Sequence, residues 1–108
     1  MAVVVVHADD VESPNGVFRP LTDSLGVSGF RVNRLELSAG QEGPEHDHSG
    51  NGQEEVYVVV GGSGILRAGD EEIALRPGHF VFCPPDARRQ MVAGDEGLAW
   101  IGIGSATS

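Results

Sequence analysis

Cysteine is nearly absent from the sequence, since Cys83 is the only one among 108 residues. No disulfide can form within the chain, so packing, a bound metal or association with other chains must hold the fold together. Cys83 ends the apolar run 80–83. We therefore expect it to be a small, buried core residue and not a reactive thiol.

Basic residues are also scarce. Seven lysines and arginines stand against sixteen aspartates and glutamates, which gives a formal net charge of -9. A chain of this charge repels phosphate backbones and anionic lipid headgroups. Nucleic acids and membrane surfaces are therefore not expected as partners.

Long apolar stretches are missing. The run 2–6 is too short for the core of a signal peptide and has no basic residue before it, and no later segment approaches the length of a membrane span. We therefore expect a cytoplasmic protein. Two domains within 108 residues would each be too small to sustain a core, so we expect a single domain over residues 1–108.

Helical periodicity is absent as well. Short β-branched runs instead alternate with the turn-forming residues Gly, Pro, Asn and Asp, a pattern typical of an all-β protein. Closing many short strands into a β-barrel or a double-sheet jelly roll removes exposed sheet edges, and a β-sandwich without a cavity is the alternative. The predicted strands are 2–6, 29–37, 55–60, 64–68, 71–75, 79–83, 89–93 and 98–103, with a short edge strand near 16–19.

Glycines mark the connections between these strands. The segments 61–64 and 68–70 contain residues that tolerate positive φ, so the three strands between 55 and 75 are predicted to form a meander of hairpins. The segment 38–53 is rich in glycine and acidic residues and is predicted to be a loop. The apolar strand 2–6 would suit pairing with the sheet edge of a neighbouring chain, and we therefore expect a homodimer.

His46 and His48 lie two residues apart. On an extended backbone such residues point to the same side, with Cα atoms about 6.5 Å apart, so that both imidazoles can reach one ion. Glu55 opens the apolar run 56–60, where a carboxylate needs a positive partner. The three residues are therefore candidate metal ligands, with ordinary surface histidines in a polar loop as the alternative.

The segment from Gly40 to Gly62 resembles the first motif of the cupin family. In that motif a glycine precedes a His-x-His pair, and a glutamate and a second glycine follow; each fixed residue type is present here, although the gap between His48 and Glu55 is longer than usual. The resemblance covers residues 35–90. It implies a cupin-type jelly-roll β-barrel that binds a small molecule and one divalent metal ion (Fe, Mn, Ni or Zn) through His46, His48 and Glu55. A metal-dependent oxygenase or isomerase would fit this description.

The second motif of the family is degraded, because Arg89 stands at the position of the family's third histidine ligand. Arginine has no lone pair to offer a metal. In one interpretation the metal binds, and Arg89 anchors an anionic substrate together with Tyr57 and Phe82. In another, Arg89 pairs with Glu55, and the chain is a metal-free, non-catalytic barrel that binds a ligand or regulates.

A third interpretation leaves Arg88 or Arg89 at the surface and takes a further ligand from His79 or Gln90. If a metal is bound, the barrel should enclose an apolar cavity beside it. Its expected lining residues are Leu35, Leu37, Tyr57, Val59, Phe82 and Trp100.

Overall fold

The computed structural model describes residues 3–106, which form an antiparallel sheet of six strands. The strands are β1 (Phe18–Pro20), β2 (Phe30–Leu37), β3 (Glu55–Ala68), β4 (Glu71–Leu75), β5 (Phe80–Cys83) and β6 (Arg89–Ser105). A 3-10 turn spans Ala8–Asp10, and one helical turn, α1, spans Thr22–Leu25. Within residues 3–106, no helix has the length and apolar character needed to cross a membrane.

The sheet is organised around its two longest strands, β3 and β6. The strand order is β1-β2-β6-β3-β4, and β5 also pairs with β3. β3 has 14 residues and β6 has 17, about three times the usual strand length. Because strands of this length twist and bend, the sheet rolls into a jelly-roll β-barrel. The predicted all-β barrel fold is confirmed.

The glycine-rich segment 61–64 lies inside β3, so the predicted hairpin between residues 55–60 and 64–68 is wrong. β3 continues through this segment and shifts its register against β6 twice. A Cβ atom at Gly62 would lie 2.1 Å from the carbonyl oxygen of Gly97, and one at Gly64 would lie 2.2 Å from that of Val92. The glycines therefore let the two strands approach and bend, and they do not reverse the chain.

Other predicted strands are also corrected by the structure. The predicted strands 89–93 and 98–103 are parts of the single strand β6. Residues 3–6 form no strand, while Ala2 lies outside the described residues. Val3 and Val5 are each 88% exposed, because no strand among residues 3–106 pairs with this segment. The edge strand expected near 16–19 is β1.

Side chains alternate between the inside and the outside of the barrel. In β5, Cys83 is 3% exposed and belongs to the core, and Val81 packs against that core. Burial raises the pKa of the Cys83 thiol, so the expectation of a buried, unreactive cysteine agrees with the structure. Phe80 and Phe82 occupy the alternate positions and point outward.

Candidate metal centre and ligand cavity

The barrel encloses a cavity of about 300 Å³, at the small end of the range for ligand pockets. Its apolar walls come from Phe18, Leu35, Pro44, Met91 and Trp100. Its polar wall comes from His46, His48, Glu55, Tyr57 and Arg89. The cavity therefore combines a mostly apolar interior with one concentrated polar cluster.

His46 is held in place by backbone pairing with the start of β6. The amide of His46 donates to the carbonyl oxygen of Arg89 at 3.0 Å, and the amide of Arg89 donates to that of His46 at 2.9 Å. The amide of His48 donates to the carbonyl oxygen of Pro85 at 2.7 Å. The two imidazole rings meet edge to face with centroids 5.3 Å apart. Backbone hydrogen bonds thus fix both histidines beside the cavity.

The long gap between His48 and Glu55 is taken up by a compact turn. The amides of Asn51 and Gly52 donate to the carbonyl oxygen of His48 at 3.2 and 2.8 Å. Asp47 Oδ1 accepts hydrogen bonds from the amide and the hydroxyl of Ser49. The extra residues therefore fold on themselves, and His48 still reaches Glu55.

Glu55 is the centre of the polar cluster. Its Oε1 atom accepts a hydrogen bond from Arg89 Nη2 at 2.5 Å and another from the Tyr57 hydroxyl at 3.0 Å. The Nε2 atoms of His48 and His46 lie 3.0 and 3.7 Å from the same oxygen. One carboxylate oxygen thus gathers four polar side chains at the cavity wall.

Arg89 is buried, with 1% of its surface exposed. Its Nε donates to the Tyr57 hydroxyl at 3.2 Å, and its Nη1 donates to the carbonyl oxygens of Ala87 and Pro84 at 2.8 and 3.4 Å. Together with the bond to Glu55, these contacts engage all three nitrogens of the guanidinium group. Arg89 lines the cavity, and its contacts within the protein use four of its five N–H groups, so its role in anchoring an anionic substrate stays a prediction.

The interpretation with Arg89 at the surface and a further ligand from His79 or Gln90 is wrong, although Arg88 does lie at the surface. His79 is exposed, and its Nδ1 accepts a hydrogen bond from the amide of Arg76. Gln90 donates its Nε2 hydrogen bond to the carbonyl oxygen of Gly43. Both residues are absent from the cavity wall.

The ionisation of Glu55 follows from competing effects. Burial favours the neutral acid, but contacts with His46, Arg89, His48 and Tyr57 outweigh it and lower the pKa of Glu55 to about 2. Contact with the Glu55 carboxylate is the main cause that raises the pKa of His46, against the opposing effect of burial. Glu55 is therefore ionised at neutral pH, and its charge is shared between Arg89 and the two histidines.

The donor set and the tautomer of His46 both fit a divalent metal. Ligand atoms of His46, His48 and Glu55 all lie within 4.8 Å of one another. His46 Nδ1 lies 3.3 Å from the carbonyl oxygen of Pro44, which can only accept, so the ring proton is on Nδ1. Its Nε2 lone pair then points into the polar cluster, 3.7 Å from Glu55 Oε1 and 3.4 Å from the Tyr57 hydroxyl, where a metal ion could bind it.

The expected lining residues separate into three groups. Leu35, Tyr57 and Trp100 do line the cavity. Leu37 and Val59 lie in the core and not at the cavity wall. Phe82 is 58% exposed and lies outside the cavity, because strand alternation gives the inward positions of β5 to Val81 and Cys83.

Two polar lining residues were missed in the sequence. Asn33 shares the inward phase of Leu35, so the alternation along β2 could have indicated it. Gln53 is 9% exposed, and its Nε2 donates to the carbonyl oxygen of Ser105 at 3.0 Å. That contact joins residues 52 positions apart, so no local pattern could have signalled it.

Together, the rolled antiparallel sheet and its cavity define a jelly-roll β-barrel with a cluster of metal-type ligands at one wall. A comparison with protein families matches residues 33–104 to the cupin domain. The chain belongs to the cupin family. A comparison with curated protein sequences gives no match.

Several solved structures share this fold. A cupin protein from Bacteroides fragilis aligns with a TM-score of 0.76 and 26% identity, over 94% of this chain and 86% of that one. The polyketide cyclase RemF from Streptomyces resistomycificus aligns with a TM-score of 0.81 and 22% identity, over 96% and 80% of the two chains. A cupin-superfamily sugar phosphate isomerase from Silicibacter pomeroyi has a TM-score of 0.79 and 23% identity, over 96% and 76%. The last two likenesses concern the fold alone.

Proposed function

We propose that this chain is a metal-dependent cupin that binds a small molecule. His46, His48 and Glu55 hold one divalent ion at the polar wall, and the ligand occupies the apolar cavity beside it. The observation that carries the proposal is the convergence of two imidazole nitrogens and a carboxylate oxygen within 4.8 Å at the wall of a cavity. Two histidines with one carboxylate are a recurring ligand set for divalent metals in open sites.

Each ligand has a defined role in this proposal. Nε2 of His46 offers a lone pair because Nδ1 donates to the carbonyl oxygen of Pro44. Oε1 of Glu55 is the oxygen that faces both imidazole nitrogens, and the hydrogen bonds from Tyr57 and Arg89 to the same atom hold the carboxylate in that orientation. Arg89 orients the carboxylate and is not itself a ligand.

The ligand is a small, largely apolar molecule with one oxygen-bearing group. Phe18, Leu35 and Trp100 give the cavity apolar walls, which favour hydrocarbon over charged groups. An anionic group would be met by the metal, because the guanidinium nitrogens of Arg89 are engaged within the protein. A bound divalent ion would supply Lewis-acid polarisation of the ligand oxygen, as an oxygenase or isomerase requires.

Metal titration tests this proposal. We expect protein stripped with a chelator to bind about one equivalent of Fe, Mn, Ni or Zn, and His48→Ala to weaken the affinity at least about tenfold, as expected for loss of one ligand group. Isothermal titration calorimetry and elemental analysis measure both values. Circular dichroism should show that the variant keeps its β-sheet, since His48 lies on a loop.

His79→Ala is the matched control, because His79 is an exposed histidine outside the cavity. It should bind metal as the unsubstituted protein does. Stoichiometry below about a tenth of an equivalent with every metal would contradict the proposal, as would an undiminished affinity in His48→Ala. Loss of binding in His79→Ala would show that the ligands are assigned wrongly.

A metal-free cupin that binds its ligand without catalysis is the second candidate. The observation that favours it is the 2.5 Å contact between Arg89 and Glu55, which already supplies the carboxylate with a positive partner. In that case His48 and Tyr57 complete the polar wall by hydrogen bonding, and His46 carries the second ring proton. The same titration separates the two candidates, because this one predicts no stoichiometric metal.

A further inference from the structure

Gly102 and Gly104 are both buried on the inward face of β6. The protein itself covers Gly104, because a Cβ atom there would lie 2.6 Å from Nε2 of Gln53. Gly102 instead lines the cavity. The atoms nearest to a Cβ atom at Gly102 are side-chain carbons of Leu35 at 3.4 Å and of Tyr57 at 3.8 and 3.9 Å. The space of one side chain is therefore filled at Gly104 and opens into the cavity at Gly102.

The backbone does not require a glycine at position 102. Gly102 has no positive φ, and its strand conformation is accessible to any residue that can join the ladder. Its register is regular on both sides, against Asn33 of β2 and Tyr57 of β3. A glycine inside a strand marks a bulge, a close backbone contact or the close approach of a ligand. Since the first two do not apply at Gly102, its position in the cavity wall indicates the third.

Two aromatic side chains border this glycine within the cavity wall. Tyr57 pairs with Gly102 across the sheet, and Trp100 precedes it by two residues on the same face of β6. The rings of Tyr57 and Trp100 have centroids 6.3 Å apart and planes tilted by 55°. A planar ring can lie against the bare backbone and still contact both aromatic rings, in edge-to-face or offset geometry. The arrangement therefore favours a flat ring over a bulky aliphatic group.

Tyr57 relates this position to the polar wall. Its ring carbons Cδ1 and Cε1 lie beside Gly102, whereas its hydroxyl group contacts Glu55 and Arg89. Because the Tyr57 side chain is itself a phenol, a ring of the same size alongside it brings its own oxygen substituent to the polar wall. A cavity of about 150 Å³ is enough to hold benzene, so the cavity of about 300 Å³ accommodates a substituted ring.

We propose that the ligand of this cavity is a planar ring with an oxygen substituent, and that Gly102 selects it. The ring lies against the backbone of Gly102 between Tyr57 and Trp100, and its oxygen points to the polar wall. This inference rests on the proposed function, since it needs a small molecule in the cavity. It does not depend on the metal, because the metal-free candidate binds its ligand in the same cavity.

NMR titration of isotopically labelled, zinc-treated protein with phenol tests the inference, with cyclohexanol as the non-planar comparison. We expect phenol to shift the amide resonance of Gly102 and the indole resonance of Trp100, and to bind about three- to tenfold more tightly than cyclohexanol. Gly102→Ala should raise the phenol dissociation constant at least about tenfold, because its methyl group lifts the ring from the backbone. The same titrations are repeated with chelator-treated protein.

Gly61→Ala is the matched control. It adds the same methyl group within a strand, where the nearest atom is Cβ of Ala99 at 3.5 Å, and Gly61 lies outside the cavity. It should leave phenol binding unchanged. Equal phenol affinity in Gly102→Ala and the unsubstituted protein would overturn the role of Gly102. Cyclohexanol binding as tightly as phenol would overturn the assignment of a planar ring.

Failure of this inference and failure of the proposed function give different results. Phenol that shifts resonances of His46 and His48 but not those of Gly102 and Trp100 would overturn the inference and leave a ligand-binding cavity. Absence of phenol binding would also overturn it, whatever the metal titration gives. Phenol binding as expected without uptake of zinc would support the inference and contradict the metal. If circular dichroism shows Gly102→Ala unfolded, the resonance shifts in the unsubstituted protein decide by themselves.

Discussion

Arg89 carries a permanent charge at a position that is 1% exposed. An unpaired charge in the interior costs several kcal/mol, and here Glu55, Tyr57 and two backbone carbonyl groups offset that cost. In spite of burial the pKa of Glu55 falls to about 2, because His46 and then Arg89 stabilise its carboxylate. Each of the two side chains therefore stabilises the charged form of the other in the protein interior.

Removing one partner of this pair should destabilise the protein strongly. In chelator-treated protein we expect Arg89→Met to lower the free energy of unfolding by about 3–5 kcal/mol, because the Glu55 carboxylate is left buried without its cation. Urea denaturation measures the change. The double variant Glu55→Met/Arg89→Met should recover part of the loss, because both charges are gone; a double variant less stable than Arg89→Met would contradict this explanation.

The sequence predicted the polar cluster and, in one interpretation, the pairing of Arg89 with Glu55, but not the other contacts of Arg89. The spacing of His46 and His48 and the apolar run after Glu55 were sufficient to bring these residues together. The hydrogen bonds from Arg89 to backbone carbonyl groups were not predictable in the same way. It depends on the carbonyl groups of Pro84 and Ala87, whose directions follow from a turn that composition does not specify.

At the scale of elements, the bend of β3 depends on close contact between two backbones. The segment 61–64 has the composition of a turn, which is why the sequence predicted a hairpin there. Whether such a segment reverses the chain or bends a strand depends on its partner, and β6 lies against it with glycines of its own at Gly94 and Gly97. This pairing with β6 is non-local, so the sequence of residues 61–64 alone does not predict it.

Gly64→Ala tests the close approach. Its Cβ atom would lie 2.2 Å from the carbonyl oxygen of Val92, so the strands must move apart, and we expect the free energy of unfolding to fall by about 3 kcal/mol. Gly29→Ala is the matched control, because nothing lies within 4 Å of its Cβ position. Thermal denaturation compares the two variants, and equal melting temperatures would show that β3 and β6 can separate without cost.

At the scale of the whole molecule, the net charge of -9 acts against the homodimer that the sequence leads us to expect. Two copies repel each other over distances comparable with the Debye length, which falls from about 30 Å at 0.01 M salt to about 8 Å at 0.15 M. Apolar contacts between the two copies are insensitive to this change in ionic strength. Charge repulsion should therefore limit association mainly at low salt.

We expect the dimer dissociation constant to fall at least about threefold when the ionic strength rises from about 0.01 to about 0.15 M. Sedimentation equilibrium in each buffer measures it. A dissociation constant that rises with salt would show instead that ion pairs, and not apolar contacts, hold the two copies together.

Trp100 gives the molecule an optical property of its own. It is the single tryptophan of the chain, it lines the cavity, and its ring centroid lies 6.3 Å from that of Tyr57. Its indole lies inside the barrel, because Trp100 is buried and lines the cavity. Its fluorescence should therefore change when a ligand fills the cavity and stay unchanged when two copies associate through the outside of the barrel. The binding of candidate ligands can thus be measured without a label.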